Sequence, residues 1–282
     1  MKMRHKNKHQ ENFPVGMMMF GKDKRQIVSD YYRFARYADD IADNPDIKPQ
    51  NKVNKLYELE DIFLKNKAYK GQKLKFAVQL REEFNKFQLS TSLATDLLIA
   101  FRKDSMGFDY QTWGQLVDYC KYSAAPVGRF MLAIHDENPS TYLPATSLCV
   151  ALQIVNHVQD IKYDADVLKR IYLPAEMMKK YNVTAEDLLK DKSSLGLKKV
   201  IEKIMDLTRG LIKEGSLLPA IIKSRSLRTE VCIILSLTNI MVKKILKGDV
   251  LAKNIKLSKW DWLRAVVSGV FTAMTTKTRT LS

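Results

Sequence analysis

The chain has 282 residues, of which 46% are hydrophobic, enough for a substantial core and for one large domain or two small ones. Lys and Arg number 47 against 31 Asp and Glu, so the formal charge is +16 and the favoured partners are anionic: phosphates, acidic lipid or nucleic acid. The basic residues are spread along the chain and no zinc-finger, RNA-recognition or helix-turn-helix pattern is present, so nucleic acid is not the expected partner.

Residues 1–10 are basic and polar and read as a disordered tail. The apolar run at 15–20 is too short for a membrane span and lacks a signal-peptide layout. The helical period then takes over. Residues 26–43 predict a helix with an apolar stripe of Ile27, Tyr31, Phe34, Ala35 and Ala38, stopped by Asn44 and Pro45. Amphipathic runs follow at 53–63, 74–87 and 93–106, then a long one at 113–134 interrupted near Pro126. The run at 143–164 is nearly apolar until its polar end, and a loop follows around 170–174. Further helices are predicted at 195–217, 227–246 and 257–274; the apolar stretch 260–274 carries Asp261 and Arg264 and is too short to cross a bilayer. There is no alternating strand run, hairpin dipeptide, fixed-period repeat or low-complexity linker. The expectation is an all-α chain, a single domain over 1–282, with long helices packed round a centre. Cys120, Cys149 and Cys232 are widely spaced in helical contexts and read as buried free thiols of a reducing cytosol.

Two acid-rich segments stand out. Asp39, Asp40 and Asp43 end the first predicted helix, and Asn156, Asp160 and Asp164 are spaced four and four near the end of a later one. Residues so spaced share a helix face, and like charges there repel, so two such faces call for a cation. Hard oxygen donors suit Mg²⁺, which binds through a few carboxylates plus substrate phosphates. The bland alternative is a solvated acidic face, but a helix C-terminus is already negative and a poor place for acids. The apolar run 148–155 leads straight into the second segment, so its polar face points into a cavity or a partner. Arg36 can pair with Asp39 or Asp40, or hold a phosphate beside a metal. Arg170 and Tyr172 read equally as a surface Arg and a core Tyr or as site residues. His157 points off the Asn156–Asp160 face and reads as a packed or hydrogen-bonded histidine. Tyr119, Phe130 and Met131 read as core, although a hydrocarbon tunnel is built of the same residue types. No phosphate-binding glycine loop, dinucleotide fingerprint, zinc-protease helix, paired-cysteine motif or nucleophile elbow is present, and no nicotinamide cofactor is expected.

Residues 32–43 resemble the first aspartate-rich motif of the squalene and phytoene synthases; 153–160, Asp164 and 170–174 resemble the second motif and its following loop. The resemblance covers nearly the whole chain. Residues 11–16, 100–104, 118–120, Ser123, 126–129 and 257–261 are most similar to the bacterial branch that makes hydroxysqualene for hopanoids. This resemblance implies an isoprenoid-synthase helical bundle around a central cavity and a Mg²⁺-dependent lyase. Presqualene diphosphate would lose diphosphate, and water would capture the rearranged cation as hydroxysqualene. It implies Asp39, Asp43, Asn156 and Asp160 as direct metal ligands, with Asp40 and Asp164 acting through water. Arg36 and Arg170 would grip phosphate oxygens, and Tyr32, Gln153 and Tyr172 would complete the substrate contacts. Tyr32, Phe34 and Tyr119 are candidates to face the carbocation, Tyr119 foremost by its motif position. Family members that couple two prenyl diphosphates often carry Arg before the middle Asp and an acid before the last one; here stand Gln159 and Tyr163. The chain is also one residue longer at Leu168 and Lys169, where a Gly is common. Alternatives are a head-to-head coupling enzyme and a non-catalytic lipid-binding or assembly protein. The expected location is cytoplasmic, peripheral on the inner face of the membrane.

Overall fold

Apolar residues three and four apart bend the chain into helices throughout. In the computed structural model, residues 22–65 and 74–277 are described, and among them there are twelve α-helices and no strand. They are α1 (Lys22–Asp43), α2 (Pro49–Leu64), α3 (Lys75–Lys86), α4 (Ser92–Met106), α5 (Trp113–Ser123), α6 (Ala125–Ile134), α7 (Tyr142–Gln159), α8 (Ile161–Tyr163), α9 (Ala175–Lys180), α10 (Leu195–Gly215), α11 (Arg225–Lys247) and α12 (Lys259–Thr275). The basic tail 1–10, the apolar run 15–20 and the resemblance at 11–16 lie outside the described residues. Serine side chains start the last three long helices: Ser194, Ser224 and Ser258 each accept from a backbone N–H three residues on.

The interruption expected near Pro126 is present, and a second long run is broken where no break was expected. The run 113–134 divides at Ala124, whose φ −129° and ψ −40° leave the helix, so Pro126 falls in the first turn of α6, where its missing N–H costs nothing. The run 143–164 divides at Asp160, with φ −97° and ψ 10°; α8 is a single turn, and 164–168 form a wider turn that ends on Lys169 in the left-handed region at φ 56°.

Besides a small cluster of Leu237 and Ala265 between α11 and α12, the helices bury two large apolar clusters among the described residues. One joins α1, α2 and α3 to Leu97 and Phe101 of α4 and to Phe130 and Met131 of α6. The other gathers α5, α7, α9, α10 and α11, and reaches Ala100 of α4 and Leu132 of α6. Helices α4 and α6 therefore present one face to each cluster and form the seam between them. Tyr31 fixes α1 to that seam: its ring stacks on Phe130 at 4.0 Å and its hydroxyl donates to the Leu93 carbonyl at 2.6 Å. Two ion pairs continue the seam, Arg102 with Glu60 at 3.0 Å and Arg129 with Asp96 at 3.3 Å. Cys120, Cys149 and Cys232 are all free.

Helix α10 reaches α7 through Gly215. A Cβ there would lie 2.8 Å from Leu148 Cβ and 3.2 Å from the Leu148 backbone N, and backbone cannot move aside as a side-chain tip can. Gly215→Val should therefore cost about 1–3 kcal/mol, the usual range for overpacking. Thermal unfolding checks this; an unchanged Tm would refute the contact.

Candidate active site

Helix α1 ends on Asp39, Asp40 and Asp43, with no basic residue in its last turn. Its final carbonyls have no intrahelical partner and its dipole is negative there, so the acids compound an existing charge. Balancing cations come from three places. Arg36, one turn back, lies 3.3 Å from Asp39 and 2.8 Å from Asp40. Lys52 of α2 is buried and donates to the Ala42 carbonyl at 2.8 Å; burial, then the nearby Arg170, lowers its pKa. Arg170 donates from Nη1 to Asp43 at 2.6 Å, from Nη2 to the same Ala42 carbonyl at 2.8 Å, and from Nε to the Asp104 carbonyl at 3.1 Å. The Arg170 backbone N–H donates to the Asp164 carbonyl at 2.9 Å. One residue thus ties the second acidic segment to the first. The extra residue at 168–169 is absorbed by the wide turn and the left-handed Lys169, which leaves Arg170 in reach of α1.

Asp104 of α4 is 9% exposed and accepts from the hydroxyls of Tyr119 at 2.7 Å and Tyr172 at 2.9 Å. Burial raises its pKa, opposed first by Arg170. Its two tyrosines belong to an aromatic wall: Tyr172 stacks on His157 with centroids 3.7 Å apart, and Tyr110 lies against Tyr119 at 5.0 Å. The ring faces of this wall are apolar while its hydroxyl edge is pinned to a carboxylate. Phe34 does not join it. It is fully buried, edge-on to Phe63 at 5.2 Å, and has no face to offer a ligand. Tyr32 is half-buried on α1.

In the second segment, Asn156 Oδ1 is buried without a hydrogen-bond partner. An orphaned carbonyl-type oxygen at the end of an apolar helix costs free energy unless something coordinates it. Asp160 caps α7, its N–H donating to the Asn156 carbonyl at 2.9 Å. Asp164 is buried and sits 3.8 Å from His157 Nδ1. The backbone kinks at Asp160, yet the Asp164 N–H still donates to the Asp160 carbonyl at 2.8 Å, and the Asp164 carboxylate lies beside His157. His157 itself is packed and hydrogen-bonded, with Nε2 3.2 Å from Gln153 Nε2. Gln159 faces another way, donating to the Ile255 carbonyl at 2.7 Å.

Asp39 reports the charge imbalance. Its pKa is pushed up to about 7, first by burial and then by Asp43, with Arg36 opposing and Asp104 and Asp40 adding. Its side chain is still 35% exposed, so the carboxylate is both crowded by acids and open to an incoming ion. These donors fit Mg²⁺: all are oxygens, one is orphaned, and one is an acid short of positive charge. Among the described residues no three acids or imidazoles stand close enough to form a cage. That suits an ion held by one or two carboxylates and completed by water and phosphate oxygens.

Sequence reasoning passed over Lys52 and Asp104 as site residues. The available signal was a charge on an apolar stripe: Lys52 lies four and seven residues before the buried Leu56 and Leu59, and Asp104 seven after Leu97.

The family model described as squalene/phytoene synthase matches residues 6–261. The chain is 36% identical over 260 residues to a hydroxysqualene synthase of Zymomonas mobilis, with 92% of this chain and 86% of that protein covered. It is 35% identical over 254 residues to one of Sinorhizobium fredii, with 90% and 86% covered. A crystal structure of a squalene synthase from Alicyclobacillus acidocaldarius superposes with a TM-score of 0.69 at 26% identity, covering 79% of this chain and 83% of that one. A dehydrosqualene synthase in complex with a ligand gives a TM-score of 0.74 at 24% identity, covering 90% and 89%, a likeness of fold alone. The architecture is the isoprenoid-synthase helical fold.

Asp39 yields a stability test. Its native pKa, about 7, exceeds the usual 3.8, so ionising it costs the folded state. That cost is absent below the ordinary carboxyl range, grows as pH rises, and is complete above about 7. Asp39→Asn should raise the Tm of the metal-free protein at about pH 8, with a smaller gain at about pH 5. Melting curves in chelator at both pH values decide; a lower Tm at the higher pH would show that the Arg36 pairing outweighs the crowding.

Proposed function

The chain belongs to the squalene/phytoene synthase family, and on that footing we propose that it is a Mg²⁺-dependent enzyme of isoprenoid biosynthesis that converts presqualene diphosphate and water into hydroxysqualene and diphosphate. Relatives named hydroxysqualene synthase, 35–36% identical over nearly the whole chain, support this branch. The observation that carries a diphosphate site is the Arg170 bridge, which draws the two acidic segments together although Arg170 and Asp43 are 127 positions apart.

Asp39 and Asp43 at the end of α1, and Asn156 and Asp160 at the end of α7, would hold metal ions between the two segments, with Asp40 and Asp164 behind them. Magnesium, when bound, supplies positive charge against the diphosphate oxygens as the C–O bond breaks. Arg36 swings from its two aspartates to those oxygens, for which a guanidinium fork is well shaped. Arg170 keeps Asp43 aimed, since its three donating nitrogens are committed within the protein. Asp104 holds the Tyr119 and Tyr172 hydroxyls back, so that ring faces meet the developing carbocation. Tyr32 and Gln153 flank the prenyl chain. The hydrocarbon arms would need an apolar channel that excludes stray water. One admitted water adds its oxygen to the cation and releases a proton; the product is an alcohol and no reductant is consumed. Gln159 supports this branch over coupling, because its side chain is occupied by Ile255 where coupling enzymes often place an arginine. Long hydrocarbon substrate and product call for peripheral contact with the inner face of the cytoplasmic membrane.

Purified protein with Mg²⁺ should form hydroxysqualene from presqualene diphosphate and nothing from farnesyl diphosphate, as read by lipid analysis. Products from farnesyl diphosphate would assign it to head-to-head coupling, and no turnover to lipid binding. Asn156→Ala and Asp160→Asn should each lower kcat by about 10²–10³, the scale of other electrostatic losses, with chelator abolishing the wild-type reaction.

A further inference from the structure

Helix α12 inverts the ordinary pattern of a surface helix. The side it buries is small: Ala265, Gly269 and Ala273 face inward. A Cβ on Gly269 would lie 2.6–2.8 Å from the side chain and backbone of Ile233, so α12 lies hard against α11. The side it exposes is large and apolar. Trp260 is 72% exposed, Phe271 69% and Met274 81%, with Leu263, Val267 and Val270 between them. At 100° per residue these side chains fill one contiguous arc of about 100° along a rod about 25 Å long. Single exposed apolar residues are unremarkable, but a continuous apolar face of this length marks a surface built to be covered.

Charge identifies the cover. From residue 250 to 277 the chain carries five cations, Lys253, Lys256, Lys259, Arg264 and Lys277, all exposed, and one acid. That acid, Asp261, is spent within the protein: it closes the capping box with Ser258 and pairs with Lys244 of α11. An apolar strip flanked by unopposed cations matches the acyl and headgroup layers of an anionic bilayer. No helix among the described residues is long and apolar enough to cross a membrane, so α12 would lie in the interface plane. The family match ends at residue 261, so the apolar face other than Trp260 lies beyond the matched residues.

We propose that the outer face of α12 docks the protein onto anionic lipid bilayers, with Trp260, Leu263, Val267, Phe271 and Met274 entering the acyl boundary and Lys259 and Arg264 meeting the headgroups. The proposal deepens the membrane contact named above and rests on that part of the functional reading, but not on the reaction.

Vesicle co-sedimentation tests it. Full-length protein should bind phosphatidylglycerol–phosphatidylcholine vesicles at least tenfold more strongly than pure phosphatidylcholine, and raised salt should weaken that binding. The double variant V267E/F271E, and separately K259E/R264E, should each lose at least tenfold, with unchanged helicity and Tm because the buried Ala–Gly–Ala side is untouched. Brominated lipid should quench fluorescence in the wild type, and W260F should lose most of that quenching. Turnover of detergent-dispersed presqualene diphosphate should be the same for wild type and variants. Loss of turnover with docking intact would sink the proposed reaction and leave the docking surface standing. Wild type that stays in the supernatant with anionic vesicles, or Glu variants that bind as well as wild type, would overturn the docking surface. So would a solution dimer dissolved by V267E/F271E without vesicle binding, which would make this face a contact between two copies.

Discussion

A guanidinium with 10% of its side chain exposed, that of Arg170, holds the carboxylate of Asp43, the Ala42 carbonyl and the Asp104 carbonyl at once. The carbonyl of Asp164 takes its backbone N–H. Through this one residue the end of α1, the end of α4 and the turn after α8 share a fixed geometry. A buried arginine is tolerable only when its donors find acceptors. Here those acceptors are the groups that a diphosphate-binding site must hold still.

The surrounding electrostatics are those of a site rather than a scaffold. Carboxylates gather where the last carbonyls of α1 lack intrahelical partners, and burial first, then the neighbouring Asp43, raises the pKa of Asp39 to about 7. Stability alone would favour lysine or glycine at such a helix end. Asn156 adds an oxygen with no partner inside the protein. On the proposed function, both costs would turn into affinity once a divalent cation and an anionic substrate arrived together. Such local conflicts between stability and composition are where a functional site is expected.

The same site is tied to the face proposed for the membrane. Gln159, beside Asp160, donates to the Ile255 carbonyl in the segment that leads into α12. The end of the second acidic helix and the start of the apolar rod are thus within one hydrogen bond of each other. If the proposed reaction and docking face hold, that proximity would shorten the path of a water-insoluble substrate between bilayer and site.

The sequence by itself, though silent on α9, determined the long helices, most of their approximate ends and the two acidic segments, because helical period, proline stops and motif spacing are local properties written in neighbouring residues. It also placed His157 among packed, hydrogen-bonded groups. Only the tertiary structure decided the break of α7 at Asp160 and the seat of the Asp164 carboxylate beside His157. Only the tertiary structure turned Lys52 and Asp104 from anomalies on apolar stripes into partners of Ala42, Tyr119 and Tyr172, and consigned Phe34 to the core. The physical reason is common to all of these. A buried charge or a broken turn is stabilised by groups dozens of residues away, and no local pattern in the chain records which distant group will arrive.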